Sequence, residues 1–299
     1  MSYHDILIDS YEKAKNPICL GLDPVLEALP DKYLRYGIKG IEQYLIDFLY
    51  ILNRNSLSPA AFKPNQGYYL RYDDPKNNKY LGTKTLAAVL QTLNELFPGI
   101  PIILDSKRGD IVRSSKNYAD EAFDVWKADA VTVSPYMGTD SVSPFLDWNL
   151  GEYGVYVLNR TSNPGASDFQ NLQLADGRKL YEAVSDQIIA WSQEKPGVGA
   201  VVGATSPAEL SVISKKFAAH QIPLLIPGVG SQGGSFTEAL NILKGNGYNL
   251  ALARINSSSA ITHPWVKGKK AAPQNWAGAC MDAFETMCES FLEWQNEVE

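Results

Sequence analysis

The sequence predicts a single (β/α)8 barrel over residues 1–299, with its active site at the carboxyl ends of the strands. Three observations carry this prediction. Eight short apolar runs recur along the chain, each closed by a polar or glycine-containing cluster. Helix-period segments separate them, which implies parallel strands covered on both faces, and eight is the number that closes into a barrel. At 299 residues and 45% hydrophobic, the chain has enough apolar material for one core of that size.

In order, the runs are Ile18–Leu22, Ala60–Phe62, Ile100–Leu104, Ala130–Val133, Val155–Leu158, Val198–Val202, Leu224–Ile226 and Leu250–Ala253. Between them, apolar residues at helical spacing mark Ile41–Leu52, Lys84–Leu96, Tyr118–Trp126, Tyr181–Glu194, Ala208–Ala219 and Phe236–Leu243. Met1–Asn16 reads as an amphipathic helix without a signal-peptide apolar core, and Gln274–Glu299 as a closing helix against the barrel. A doubly wound sheet is the weaker alternative: Gly21-Leu22-Asp23-Pro24 follows the first strand where a glycine-rich dinucleotide turn would stand. Two loops, Gln66–Gly82 and Asn159–Lys179, exceed ordinary connections and are expected to be lids or interface elements.

Composition excludes several function classes. A net charge of −6 leaves no basic field, so nucleic acid is not an expected partner. No stretch approaches the roughly 18 apolar residues of a membrane helix, so no membrane association is expected either. Cys19, Cys280 and Cys288 have neither disulfide nor zinc spacing and read as thiols of a cytoplasmic protein. His4, His220 and His263 stand away from the strand ends, so the sequence offers no metal site.

The chemistry concentrates in Ile102-Ile103-Leu104-Asp105-Ser106-Lys107-Arg108-Gly109-Asp110-Ile111, where a buried strand runs into four charges within six residues. In extended chain, Asp105 and Lys107 share a face about 7 Å apart along the backbone, within reach of an ion pair. Gly109 permits a sharp turn that brings Asp110 in from another direction. Taken alone, the charged stretch could equally be a solvated turn capping a helix near Ile111. Its place at a strand end favours chemistry, because α/β folds build sites there. Arg108-Gly109-Asp110 matches an adhesion tripeptide, a reading that needs an exposed loop on a secreted protein. Lys63, at the end of strand two, is either a snorkelling rim residue or the neighbour that faces Asp105 across adjacent strand ends. With Lys107 and Asp110 it would complete a Lys-Asp-Lys-Asp array of alternating sign.

Pro227–Gly234, after strand seven, and Arg254, at the predicted end of strand eight, occupy the position of a barrel phosphate site. Gly228 and Gly230 would expose backbone N–H groups, and Arg254 would supply a forked cation. Asp23 could cap the following segment or bind ribose hydroxyls. Thr161-Ser162-Asn163-Pro164-Gly165 is a turn by default, with groups able to read the polar edge of a base.

These motifs, Phe62-Lys63-Pro64-Asn65 with Asp105-Ser106-Lys107-Arg108-Gly109-Asp110-Ile111, resemble those of the orotidine 5′-phosphate decarboxylases, in the longer bacterial-type branch. The similarity runs from Gly21 to Ser259. The resemblance implies decarboxylation of orotidine 5′-phosphate to uridine 5′-phosphate without any cofactor, in the last step of de novo pyrimidine biosynthesis. It implies Lys107 as cation and proton donor, Asp105 facing the departing carboxylate, and Lys63 linking the carboxylates and the ribose. Asp110 would enter the neighbouring site of a homodimer. Asp23 matches a ribose ligand, Ser162 a pyrimidine contact, and Gln232 and Arg254 phosphate ligands. Two alternatives remain open on the sequence: a metal-dependent sugar-phosphate decarboxylase or aldolase on the same barrel, and a catalytically silent nucleotide-binding barrel.

Overall fold

The computed structural model describes residues 1–148, 151–230, 233–268 and 270–298. Among the described residues, eight strands run parallel: Ile18–Leu22 (β1), Ala61–Pro64 (β2), Ile103–Arg108 (β3), Ala130–Val133 (β4), Gly154–Arg160 (β5), Val198–Val202 (β6), Leu224–Ile226 (β7) and Ala253–Ser257 (β8). Ladders join β1 to β2 and to β8, and each successive pair from β3 to β8. Parallel bridges Phe62↔Ile102 and Asn65↔Asp105 join β2 to β3 and close the ring. The expected (β/α)8 barrel is therefore the observed one. Every residue of β1, β6 and β8 is buried, as strands covered on both faces require.

The crossover helices follow the predicted periodicity. Ile38–Arg54 buries Ile41, Tyr44, Leu45, Phe48, Leu49 and Leu52, a stripe at spacings of three and four. Leu81–Leu96, Leu180–Glu194, Pro207–Ala218 and Phe236–Gly245 match their predicted segments with bounds moved by a few residues. The segment predicted at Tyr118–Trp126 begins earlier, at Val112, and its second half from Asp120 to Val125 winds as a π-helix. Thr139–Leu146 supplies the crossover between β4 and β5, although Ser141, Ser143 and Pro144 dilute its apolar pattern. After β8, Trp276–Val298 packs Trp276, Cys280, Phe284, Phe291 and Trp294 inward. Leu292, next to Phe291 in the chain, is 51% exposed. Among the described residues, no helix is long and apolar enough to cross a membrane.

The amino-terminal helix, Tyr3–Ala14, opens with a capping box in which Ser2 and Asp5 satisfy each other's backbone N–H groups. It covers the floor of the barrel. Tyr3 enters where Gly154 has no side chain, since a Cβ there would lie 2.3 Å from the Tyr3 ring, and its hydroxyl donates to Tyr156 Oη at 3.1 Å.

One boundary differs from the sequence reading in a way that matters. The apolar run Leu250–Ala253 is not strand eight: Leu250–Leu252 forms a 3-10 turn, and β8 starts at Ala253. At about 3.3 Å per residue, the three-residue offset moves Arg254 roughly 10 Å down the barrel, from the mouth to the floor.

Candidate active site

Three adjacent strand ends build the charged centre. β1 ends beside Asp23, Lys63 lies within β2, and Asp105 and Lys107 lie in β3. The register bridge Asn65↔Asp105 sets the second and third ends side by side, as the sequence reading requires. Lys63 Nζ donates to Asp105 Oδ2 at 3.0 Å and lies 3.8 Å from Asp23 Oδ1. Lys107 Nζ donates to Asp105 Oδ1 at 2.5 Å. Asp105 also accepts from Asn65 Nδ2 at 3.3 Å and from the Thr132 hydroxyl at 2.8 Å, so both its oxygens carry two donors.

Burial and charge oppose each other here, and charge prevails. Burial alone would raise the Asp105 carboxyl, but Lys63 and Lys107 hold it well below the ordinary carboxylate range. Burial alone would lower the Lys63 ammonium, but Asp105 and Asp23 hold it above the usual lysine range. Both groups are therefore ionised at neutral pH. Their side chains are only 6% and 5% exposed, whereas Lys107 is 45% exposed and is the member of the array open to a ligand.

The backbone achieves this differently from the expected turn at Gly109. Lys107 itself adopts φ +49°, a left-handed conformation that few non-glycine residues occupy. Gly109 instead allows close approach: a Cβ there would sit 2.7 Å from the Ser134 carbonyl oxygen. β3 also bulges against β4, with Leu104 opposite Val131 and Arg108 opposite Val133.

These charges line a cavity of about 620 Å³ at the mouth of the barrel, a size suited to a nucleotide-sized ligand. Of the residues singled out in the sequence, Asp23, Lys63, Asp105, Lys107, Ser162 and Gly228 all line it. Asp23 is held by the Asn65 N–H at 3.2 Å and the Ser258 hydroxyl at 2.7 Å. Ser162 reaches the wall because Gly203 gives way, a Cβ on Gly203 lying 2.6 Å from Ser162 Cα. Thr132, Asn65, Ser258 and Gln170 also line the cavity, although sequence reasoning gave none of them a role. The signals were weak: Thr132 reads as one more β-branched strand residue, and Gln170 lies ten residues past the strand end in a long loop.

The remaining predicted residues fall elsewhere. Gly230 is set back in a left-handed turn, with its N–H donated to the Gly234 carbonyl at 3.1 Å, so it offers no free amide to the cavity. Gln232 lies outside the described residues. Asp110 lines no part of the cavity; its Oδ1 accepts the Ile111 N–H at 2.7 Å, beside the exposed Ile111 and Val112.

Arg254 is a correction. It is fully buried in the floor, where its guanidinium makes five hydrogen bonds: to the carbonyls of Ala60, Ala251, Ala253 and Leu7, and to Ser10 Oγ. That uses the whole donor set of an arginine and ties the amino-terminal helix to the barrel. A phosphate at the mouth cannot reach it. Arg254→Met is therefore expected to strand four buried carbonyls and cost several kcal/mol, lowering Tm by about 10 °C. The affinity of the folded fraction for a phosphorylated ligand should stay as in the unaltered protein. Thermal melts beside ligand titration decide the matter, and lost affinity at unchanged Tm would restore the phosphate role.

A closed (β/α)8 barrel with a carboxylate clamped between two ammonium groups at the mouth of a nucleotide-sized cavity defines a barrel-enzyme site. The chain belongs to the orotidine 5′-phosphate decarboxylase / HUMPS family, whose model matches residues 16–254. It is 39% identical over 226 residues to the orotidine 5′-phosphate decarboxylase of Herpetosiphon aurantiacus, covering 76% of this chain and 78% of that protein. Identity with the orotidine 5′-phosphate decarboxylase of Janthinobacterium sp. is 40% over 270 residues, 88% of this chain and 90% of that one. Among solved structures, OMP decarboxylase of Leishmania donovani superposes with TM-score 0.70 at 29% identity, covering 96% and 99% of the two chains. UMP synthase of the same organism gives TM-score 0.73 at 30% identity, and this chain spans 56% of its length.

Proposed function

We propose that this chain removes CO2 from C6 of orotidine 5′-phosphate to give uridine 5′-phosphate, the last step of de novo UMP biosynthesis. The observation that carries the reading is the Lys63–Asp105–Lys107 array, ion-paired and buried on one side and open to a nucleotide-sized cavity on the other. Breaking the C6–carboxyl bond leaves an electron pair on C6 with little resonance help. A fixed cation must stabilise it. Lys107, the more exposed lysine of the array, is positioned to face that charge and then give C6 a proton, recovering one from solvent. Asp105, held ionised, faces the substrate carboxylate, and the repulsion is relieved as CO2 leaves. Binding energy from ribose and phosphate offsets the cost of seating that carboxylate.

In this reading Ser162 contacts the pyrimidine and Asp23 and Lys63 the ribose, while Gly228 lies on the side of the cavity assigned to phosphate. Asp110 serves the neighbouring site of a homodimer. Supporting this, Asp110 does not line its own cavity, and Ile111 and Val112, which follow it in the chain, are 54 and 50% exposed. Exposed apolar side chains of this kind are what a second copy would cover. The reaction is assigned to the cytoplasm, in keeping with the free thiols Cys19, Cys280 and Cys288.

The test is ultraviolet loss of orotidine 5′-phosphate with purified protein, before and after exhaustive EDTA treatment. Turnover is expected in both, because the charge stabilisation assigned here comes from lysine. Turnover lost on chelation and restored by Mg2+ would favour the metal-dependent sugar-phosphate branch, and no turnover at all would favour a silent nucleotide-binding barrel.

A further inference from the structure

We propose that Thr132 is a positioning residue for the reaction: its hydroxyl holds the bulged end of β3 so that Asp105 and Lys107 meet the substrate in one fixed arrangement. This inference rests on the decarboxylase reading above. Thr132 is buried in β4, opposite the register break, where three β3 residues, Asp105 to Lys107, stand between the Leu104↔Val131 and Arg108↔Val133 pairs. Its Oγ1 accepts the Ser106 N–H at 3.1 Å and the Lys107 N–H at 3.0 Å, and donates to Asp105 Oδ1 at 2.8 Å.

A hydroxyl has one proton to give and two lone pairs to share, so Thr132 is fully used. Both N–H groups it accepts belong to the stretch that carries Lys107 at φ +49°. A left-handed lysine is strained and persists only where its surroundings over-determine it. Thr132 supplies two of those constraints. The same hydroxyl directs its proton to the oxygen of Asp105 that also receives Lys107 Nζ, so one atom fixes the backbone of the cation and the orientation of its carboxylate partner. The adjoining Ser106 hydroxyl is buried without a hydrogen-bond partner among the described residues and takes no share in this.

Because Thr132 acts through groups that work on developing charge, its loss should fall on kcat rather than on binding. Thr132→Val keeps the shape and removes the hydroxyl. Its kcat is expected to fall about 100-fold, the scale of a displacement of about 1 Å in a catalytic group. KM and uridine 5′-phosphate affinity should stay within about threefold, because the changed interactions concern the transition state. Thr132→Ser restores the hydroxyl and should return kcat to within about fivefold of the unaltered protein, since the same three hydrogen bonds can form. If the valine variant does not fold, Thr132→Ala takes its place. The inference is overturned if removing the hydroxyl leaves kcat intact, if serine fails to rescue, or if KM and product affinity collapse together with kcat. An unaltered protein inactive on orotidine 5′-phosphate removes the decarboxylase reading and this inference with it; an active one with an unimpaired valine variant removes this inference alone.

Discussion

Lys107→Ala should abolish turnover while leaving a folded protein that still binds uridine 5′-phosphate. At ~4 Å and an effective dielectric near 20, one cation beside a developing carbanion is worth about 4 kcal/mol, or about three decades of rate. The alanine variant also lacks the proton donor for C6, so the loss should exceed that figure. Lys63 cannot stand in, because it is buried and engaged with Asp105 at 3.0 Å and Asp23 at 3.8 Å. The backbone is a fair control: both lysine and alanine carry a Cβ, so the strain at φ +49° is common to the two proteins. Single-turnover assays with product titration and a thermal melt separate the possibilities. Residual activity near that of the unaltered protein would sink the assignment of Lys107.

The charged centre was legible because it is local. Asp105 and Lys107 are two residues apart on one strand, and Lys63 reaches them through the neighbour relation that any closed barrel imposes on its second and third strands. Arg254 departs from the sequence reading for a physical reason. Leu250-Ala251-Leu252-Ala253 is as apolar as any true strand, whereas β8 carries an arginine whose charge is accommodated by backbone carbonyls. Backbone acceptors leave no mark in a sequence, so a buried arginine without a nearby acid reads as a ligand-binding one. Thr132 was hidden differently: in Ala-Val-Thr-Val its hydroxyl has meaning only opposite a bulge, and the bulge exists only once β3 and β4 are paired. The glycine of the charged stretch misled in the same way, since the left-handed residue is Lys107 and Gly109 answers to the close approach of Ser134.

The second large effect is a recovery of activity. Asp110 lines no part of its own cavity, and on the shared-site reading proposed above Lys107 of one chain and Asp110 of the other complete each centre of a twofold dimer. Lys107→Ala and Asp110→Ala homodimers should each be inactive. Mixed in equal amounts, dissociated and reassociated at random, they should give about half mixed dimers, as closed twofold pairing dictates. In each mixed dimer one site inherits both defects, and the other joins an intact Lys107 to an intact Asp110. About a quarter of all sites should therefore regain full activity, a fraction that symmetry yields only for a site shared between chains. The outcome is read as turnover per site after subunit exchange has been verified by mass-tagged chains. If each chain served only itself, every site in the mixture would keep one defect, so a mixture that exchanges subunits and stays inactive rejects the shared site and leaves Asp110 a capping residue of its own loop.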